Sequence, residues 1–315
     1  MNSRDDKVKK KGRLGCFLLL ALFGVLFCPL TVSSASAAGV SPPPEKIVCL
    51  LIHGLGGSLV EMEPLATALE AEGFEVVRLT LPGHATNIED YSRTFFPDWL
   101  AAAERACQQE LARGRRVVVI GHSMGGSLAL HLAEQYDLTG VVTLAAPIYL
   151  YRFLPPEAAD WRLPLVGLLK YLRPRWPKTS DPSAREIAPW GGYADFRLLP
   201  QLHSFMQGLD PIAQKLGEIT EPLLILHALS DEVVPTSNAM TIASRVRSAE
   251  VAVELFTLPE TPAGRHIIPS HRDCRALVAA RVNAFLHRVK KNPDKRCRTA
   301  VSLTNPVVKV DLLVP

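Results

Sequence analysis

Gly121-His122-Ser123-Met124-Gly125 stands between the apolar run Val117-Val118-Val119-Ile120 and the helix-like stretch from Ser127 to Ala133. A serine flanked by glycines at a strand-to-helix junction is carried on a turn so sharp that its hydroxyl projects above the sheet edge, which makes Ser123 a candidate nucleophile. The competing reading is a glycine-rich turn whose serine only caps the helix that follows. A neutral serine hydroxyl reacts poorly by itself, so the pattern predicts a general base, and an acid to orient it, further along the chain.

Asp231 is the expected acid. It lies just past the apolar run Leu223 to His227, with Pro235 close to the start of the next helix. Its neighbour Glu232 reads as a solvated loop charge, and Asp181, Asp195 and Asp210 fall away from strand ends. In the chain order Ser, Asp, His the base comes last, and two histidines qualify, His266 and His271. Ser270-His271-Arg272-Asp273 reads as a capping box opening the final helix, which puts His271 in its first turn, at the surface or a pocket rim. His266 belongs to the preceding loop and is taken as the base. Acyl transfer also needs N–H donors for a developing oxyanion. Met124, the residue after the nucleophile, supplies one backbone amide, and Leu55 in the glycine-rich loop His53-Gly54-Leu55-Gly56-Gly57 is assigned the other. If Ser123 is inert, that loop is a plain strand-to-helix turn. His122 is expected to pack beneath the turn, while His84, after Pro82-Gly83, and His131, on a helix, read as structural.

These residues need a scaffold that delivers them to one edge. Short Val/Ile/Leu runs alternate with helical patterns, the signature of a parallel sheet covered on both faces. Strands are read at Ile47 to Ile52, Glu75 to Leu81, Val117 to Ile120, Gly140 to Leu144, Leu223 to His227 and Val251 to Thr257. The best-marked helices run from Trp99 to Arg113, with Asp98 as N-cap and Gly114 as stop, and from Arg272 to Arg288. Residues 148–217 break the rhythm. They show no clear strand and are rich in Pro, Trp and Tyr, so they read as an inserted, largely helical cap over the strand ends, its aromatics suggesting an apolar pocket.

The 315 residues suit one large α/β domain at about 46–288. Ahead of it, Arg4, Lys7, Lys9, Lys10, Lys11 and Arg13 precede an apolar run from Leu14 to Val32 and the small-residue stretch Ser33 to Ala38. Residues 1–37 therefore read as a signal peptide, with Ala35-Ser36-Ala37 as cleavage site, or as an uncleaved membrane anchor; both place the catalytic part outside the cytoplasm, periplasmic or extracellular. Residues 38–45 read as a linker. Six of the basic and two of the acidic side chains lie in residues 1–37, so the formal charge of +4 is theirs and the rest is near neutral, which implies no nucleic-acid partner. Residues 289–315 read as a basic, poorly ordered tail. Cys49 reads as a buried small hydrophobe, and Cys107, Cys274 and Cys297 leave room for one disulfide but match no zinc spacing, so no metal is expected.

Taken together, His53-Gly54-Leu55-Gly56-Gly57, Leu81-Pro82-Gly83-His84, Gly121 to Gly126, Val142 to Tyr149, Ser230-Asp231-Glu232 and Arg265-His266-Ile267 resemble the α/β-hydrolase superfamily over about residues 46–288. Within it the likeness is to compact bacterial carboxylesterases and monoacylglycerol-lipase-like enzymes. That resemblance implies a cofactor-free serine esterase in which Ser123 attacks, His266 shuttles the proton, Asp231 orients His266, and the Leu55 and Met124 amides hold the oxyanion. It implies a small-molecule ester as substrate. Membrane contact is expected only through the N-terminal apolar segment, where that segment stays as an anchor. A serine at this turn excludes the carboxylate-nucleophile members. Thioesterase, acyltransferase and peptidase chemistry, or a non-catalytic binding protein on the same fold, stay open. The export segment, the basic tail and the aromatic cap are departures from the small cytosolic members.

Overall fold

The computed structural model describes residues 46–178, 182–193, 196–258 and 264–291, together with the backbone of 307–313. The expected export segment and linker, Asp181, Asp195 and Cys297 lie outside the described residues.

Four parallel strands come first: β1 (Ile47–Ile52), β2 (Glu75–Leu79), β3 (Arg116–His122) and β4 (Gly140–Leu144). After a long insertion come β9 (Leu223–Ala228), β10 (Glu250–Phe256) and β11 (Val307–Leu313), the insertion itself holding β5 (Tyr151–Phe153), β6 (Pro156–Ala158), β7 (Arg175–Pro177) and β8 (Phe196–Leu198). The main sheet has the order β11-β10-β9-β4-β3-β1-β2, and every pair in it is parallel. Its inner strands are apolar on both faces because both are covered. Val117 and Val119 face one core with Leu50 and Ile225; Val118 and Ile120 face the other with Leu51 and Leu224. The first core is closed by α2 (Ile88–Ser92), α3 (Phe96–Ala112), α4 (Met124–Gln135), α7 (Leu199–Lys215) and α8 (Ser237–Arg245), through Tyr91, Trp99, Leu128, Phe205 and Ile242. The second is closed by α1 (Glu63–Ala71) and α9 (Arg275–Lys291), through Leu65, Leu69, Val282 and Phe285. Each such aliphatic or Phe side chain contributes about 1.5–3 kcal/mol by leaving water.

The chain runs from β1 outward to β2, then returns to place β3 on the other side of β1. At such a reversal the connections after two neighbouring strands leave in opposite directions and open a crevice at their carboxyl ends. The loop after β1 and the turn after β3 flank it.

Several boundaries differ from the sequence reading, for local reasons. The helix expected from Trp99 begins at Phe96; Asp98 is its third residue, not its N-cap, and its carboxylate takes the Phe95 N–H at 2.8 Å. The last helix begins at Arg275 rather than Arg272, because the Ser270 hydroxyl donates to the Pro189 carbonyl at 2.6 Å instead of capping a helix. The insertion holds two antiparallel strand pairs, β5–β6 and β7–β8, besides α5 (Val166–Leu172), α6 (Pro182–Ile187) and α7. The tail expected to lack order supplies β11, whose backbone pairs with β10. Cys49, Cys107 and Cys274 are buried free thiols, so no bridge joins Cys107 to Cys274. Among the described residues no helix is long and apolar enough to cross a membrane.

Candidate active site

Ser123 sits between β3 and α4 with φ 53° and ψ −121°, a positive-φ conformation that a residue with a Cβ adopts only under constraint. The glycines around it are sterically required. A Cβ on Gly121 would lie 2.0 Å from the Gly125 carbonyl oxygen, and one on Gly125 would lie 2.2 Å from that of Ile52. With the turn held so tightly, the Ser123 hydroxyl reaches His266 Nε2 at 2.9 Å, and His266 Nδ1 reaches Asp231 Oδ2 at 2.8 Å. Partners 143 and 35 positions apart thus form one hydrogen-bonded line at the carboxyl ends of β3, β9 and β10. The Asp231 carboxylate is fully buried, and its Oδ1 takes the N–H groups of Val233 and Val234 at 2.8 and 2.9 Å. Burial alone would raise its pKa, but the charge of His266 and hydrogen bonds from His227 and His266 hold it below the usual carboxylate range.

The loop after β1 is fastened amide by amide. Gly54 N–H donates to Glu61 Oε1 at 2.6 Å, Gly56 N–H to His84 Nε2 at 3.0 Å and Gly57 N–H to the Gly54 carbonyl at 3.1 Å. Among the described residues the amides of Leu55 and Met124 donate to nothing. Gly54 packs against Ser123, where an added Cβ would stand 3.1 Å from the serine Cβ, so the free Leu55 amide is next to the turn. His53 and His84 act as neutral brackets: His53 Nε2 accepts from Leu81 N–H at 3.2 Å, and His84 Nδ1 donates to the Pro82 carbonyl at 3.1 Å. Burial, with the neighbouring His53, takes His84 down to about 3.

Beneath the turn lies a pair that the sequence reading missed. His122 Nδ1 is 2.7 Å from Glu61 Oε1 and its Nε2 is 2.9 Å from the His266 carbonyl oxygen. Both partners are acceptors, so both ring nitrogens carry protons and His122 is an imidazolium. Burial works against its charge, but the Glu61 carboxylate raises it above the ordinary imidazole value; burial likewise works against the charge of Glu61, which His122 nonetheless holds below the carboxylate range. Both side chains are fully buried. The pair joins the loop carrying Leu55, through Gly54, to the loop carrying His266. The only trace in the sequence was His122 itself, because Glu61 lies in a short turn with no periodicity to mark it.

The other residues singled out take different places. His271 is fully buried, not at a surface or rim, with Nδ1 accepting from Asp273 N–H at 3.2 Å, and it does not reach Ser123. Glu232 is not merely solvated: it takes Gly264 N–H at 3.0 Å and faces Arg265, tying down the loop that carries His266. Asp210 is exposed on α7. His131 pairs with Glu104 at 2.9 Å. Among the described residues no three His, Cys, Asp or Glu side chains converge as a metal site.

Ser123 and His266 open into a cavity of about 690 Å³ roofed by the insertion. Leu163, Leu198, Leu202 and Phe205 supply an apolar wall, whereas Lys178, Arg185 and Arg197 line it with positive charge. The three cap tryptophans separate. Trp190 lies against the loop after β1, Trp161 is 77 % exposed at the cavity, and Trp176 packs under Arg162 and Arg173 beside a smaller void.

The chain is similar to several lipases. Over 205 residues it is 33 % identical to a thermostable monoacylglycerol lipase of Bacillus sp. (strain H-257), covering 64 % of this chain and 77 % of the relative. Over 283 residues it is 25 % identical to the monoglyceride lipase of Saccharomyces cerevisiae, covering 79 % and 83 %. Among solved structures, a metagenome-derived lipolytic enzyme superposes with a TM-score of 0.67 at 22 % identity, covering 78 % of this chain and 95 % of the other. A sequence model described as the alpha/beta hydrolase family matches residues 49–281, and with that match, on a sheet and turn of this form, the chain belongs to the alpha/beta hydrolase family.

Proposed function

We propose that this chain, a carboxylic-ester hydrolase, is an exported serine carboxylesterase acting on short- to medium-chain acyl esters or monoacylglycerols. One observation carries the reading: the Ser123 hydroxyl, the His266 imidazole and the buried Asp231 carboxylate lie in one line at 2.9 and 2.8 Å. Ser123 Oγ adds to the ester carbonyl as His266 Nε2 takes its proton, and Asp231 stabilises the imidazolium that forms. The carbonyl oxygen becomes an oxyanion, for which the amides of Leu55 and Met124, unpaired among the described residues, are donors on the two loops beside Ser123. Collapse expels the alcohol, which takes the proton from His266 and leaves an acyl-serine. Water then repeats both steps and releases the acid. The strained turn supports the same reading, since a serine that only capped α4 would not need positive φ.

The similarity to two monoacylglycerol lipases and the wall of Leu163, Leu198, Leu202 and Phe205 support an apolar acyl chain. Export rests on the basic, apolar and small-residue succession of residues 4–38. A nitrophenyl-ester chain-length series with a monoacylglycerol alongside tests the proposal. Turnover by the wild type that Ser123→Ala reduces by roughly four or more orders of magnitude is expected; undiminished turnover by that variant defeats it.

A further inference from the structure

Lys178, following β7, Arg197 in β8 and Arg185 on α6 line the same cavity as Ser123. Lys178 Nζ lies 4.0 Å over the Trp190 ring and donates to the Tyr193 carbonyl at 3.4 Å, while Arg185 donates to the Gly192 carbonyl at 3.2 Å. Among the described residues no Asp or Glu stands within ion-pair distance of these three cations. Among the described residues, the acids that line the cavity are engaged elsewhere. Asp160, whose charge reaches Arg197, binds Arg162 through both oxygens at 2.8 Å; Glu232 holds Gly264 and Arg265, and Glu61 holds His122.

Like charges gathered in a half-buried wall repel, and water screens them less there than at an open surface. Burial, then the charges of Arg197 and Arg185, draw the Lys178 ammonium down to about 7. An anion between them would relieve both effects. Its position would matter to the reaction, because the segment these cations hold rests on the loop that carries Leu55. Tyr193 N–H donates to the Gly56 carbonyl at 3.1 Å, and a Cβ on Gly57 would lie 3.1 Å from Trp190 Nε1.

We propose that Lys178 and Arg197, with Arg185 at the exposed edge, form an anion subsite, and that the substrate is an ester whose non-reacting part carries a phosphate or carboxylate. This rests on the proposed reaction at Ser123 and narrows its substrate class. The apolar wall takes the hydrocarbon chain, and the cations take a compact oxyanion, for which the planar guanidinium of Arg197 offers paired donors. A neutral ester of the same size leaves the cations uncompensated.

The test compares two matched pairs at low and high salt: nitrophenyl hexanoate with the nitrophenyl monoester of adipic acid, and a monoacylglycerol with the same acylglycerol bearing a phosphate. In at least one pair the charged member should have the higher kcat/KM by roughly tenfold or more at low salt, with the ratio shrinking as salt rises. The pair that responds tells phosphate from carboxylate. In the double variant Lys178→Met/Arg197→Gln the ratio of charged to neutral turnover should fall by about the same factor. Inorganic phosphate supplies a readout independent of turnover, because Lys178 lies on Trp190: it should change the tryptophan fluorescence of the wild type and not that of Lys178→Met. Neutral members turned over at least as well in both pairs, with no fluorescence response to phosphate, would overturn the subsite and leave the Ser123 reaction standing. A phosphate response without hydrolysis of any ester would support the subsite and remove the proposed reaction instead.

Discussion

Replacing Glu61 by Gln tests whether the buried pair beneath the turn positions the reacting groups. Glu61 Oε1 accepts from Gly54 N–H at 2.6 Å and from His122 at 2.7 Å, and His122 donates in turn to the His266 carbonyl at 2.9 Å. An amide oxygen can still accept, but its bonds are no longer charge-assisted. Each falls from about 1.5–3 to about 0.5–1.5 kcal/mol, a loss near 1 kcal/mol for each of two bonds. Without its counter-charge the buried His122 sheds a proton, so it can donate to the new amide oxygen or to the His266 carbonyl but not to both, and turning the amide NH2 toward the ring instead leaves Gly54 N–H without its acceptor; either way about 1 kcal/mol more is lost. The sum is about 3 kcal/mol, or roughly 6–12 °C in Tm for a domain of this size. The pH window follows from the two shifts. The raised His122 contributes stability that is fully present below the ordinary imidazole pKa and is lost as pH rises through its folded value; the lowered Glu61 contributes stability present above the ordinary carboxylate pKa and lost as pH falls through its folded value. The gap between wild type and variant should therefore be widest in mildly acidic to neutral solution and narrow on the alkaline side. Because the pair ties the Leu55 loop to the His266 loop, kcat should drop roughly ten- to a hundredfold with KM little changed. Thermal unfolding and steady-state kinetics across pH measure both. An unchanged Tm that does not vary differently with pH, together with an unchanged kcat, would show that the pair neither stabilises the fold nor positions the two loops.

Gly121→Ala drives a methyl into the Gly125 carbonyl at 2.0 Å, which no rotamer relieves, so unfolding assays should show a loss of about 3 kcal/mol or more. Gly114→Ala, with φ 71° and open space around it, should lose only about 1–2 kcal/mol. Trp190→Ala should lower turnover of every ester, because Trp190 lies against the loop of Leu55, whereas Trp161→Ala, at an exposed ring, should alter only the dependence on acyl length; equal profiles for the two would remove that distinction. In the wild type each added methylene should raise kcat/KM by up to about 0.8 kcal/mol and then stop at the size of the cavity, and a rate independent of chain length would show that the apolar wall does not hold the acyl group. If the N-terminal segment is cleaved, N-terminal sequencing of exported protein should begin at Ala38; intact protein in the membrane fraction would support the anchor, and full-length protein free in the cytoplasm would contradict export.

The main sheet was legible wherever a strand is buried on both faces. Ile47–Ile52 begins and ends where its unbroken apolar run does, and Gly140–Leu144 has the bounds read for it although Thr143 interrupts its apolar residues. The line of Ser123, Asp231 and His266 was legible because each side chain follows a strand, and strand ends are marked by a change from apolar to Gly, Pro and polar residues. Three-residue strands such as β5 and β7 are too short for a period of two to show. Glu61 was silent for a different reason: its role comes from burial against a residue 61 positions away, which no local pattern encodes. The cap was read through its aromatics, so an apolar pocket was expected and the cations Lys178 and Arg197 went unweighed. Their significance lies in the cavity they share with Ser123 and in the lack, among the described residues, of a carboxylate paired with them, which only the folded chain reveals.

Attack by Ser123 on an ester must leave an acylated serine. Turnover of a nitrophenyl ester stopped rapidly with acid, followed by proteolysis and mass spectrometry, measures this directly. An acyl group on the peptide containing Ser123, absent from Ser123→Ala, is the predicted result. Continued hydrolysis with no acyl adduct on Ser123, or with the adduct on another residue, would rule out Ser123 as the nucleophile.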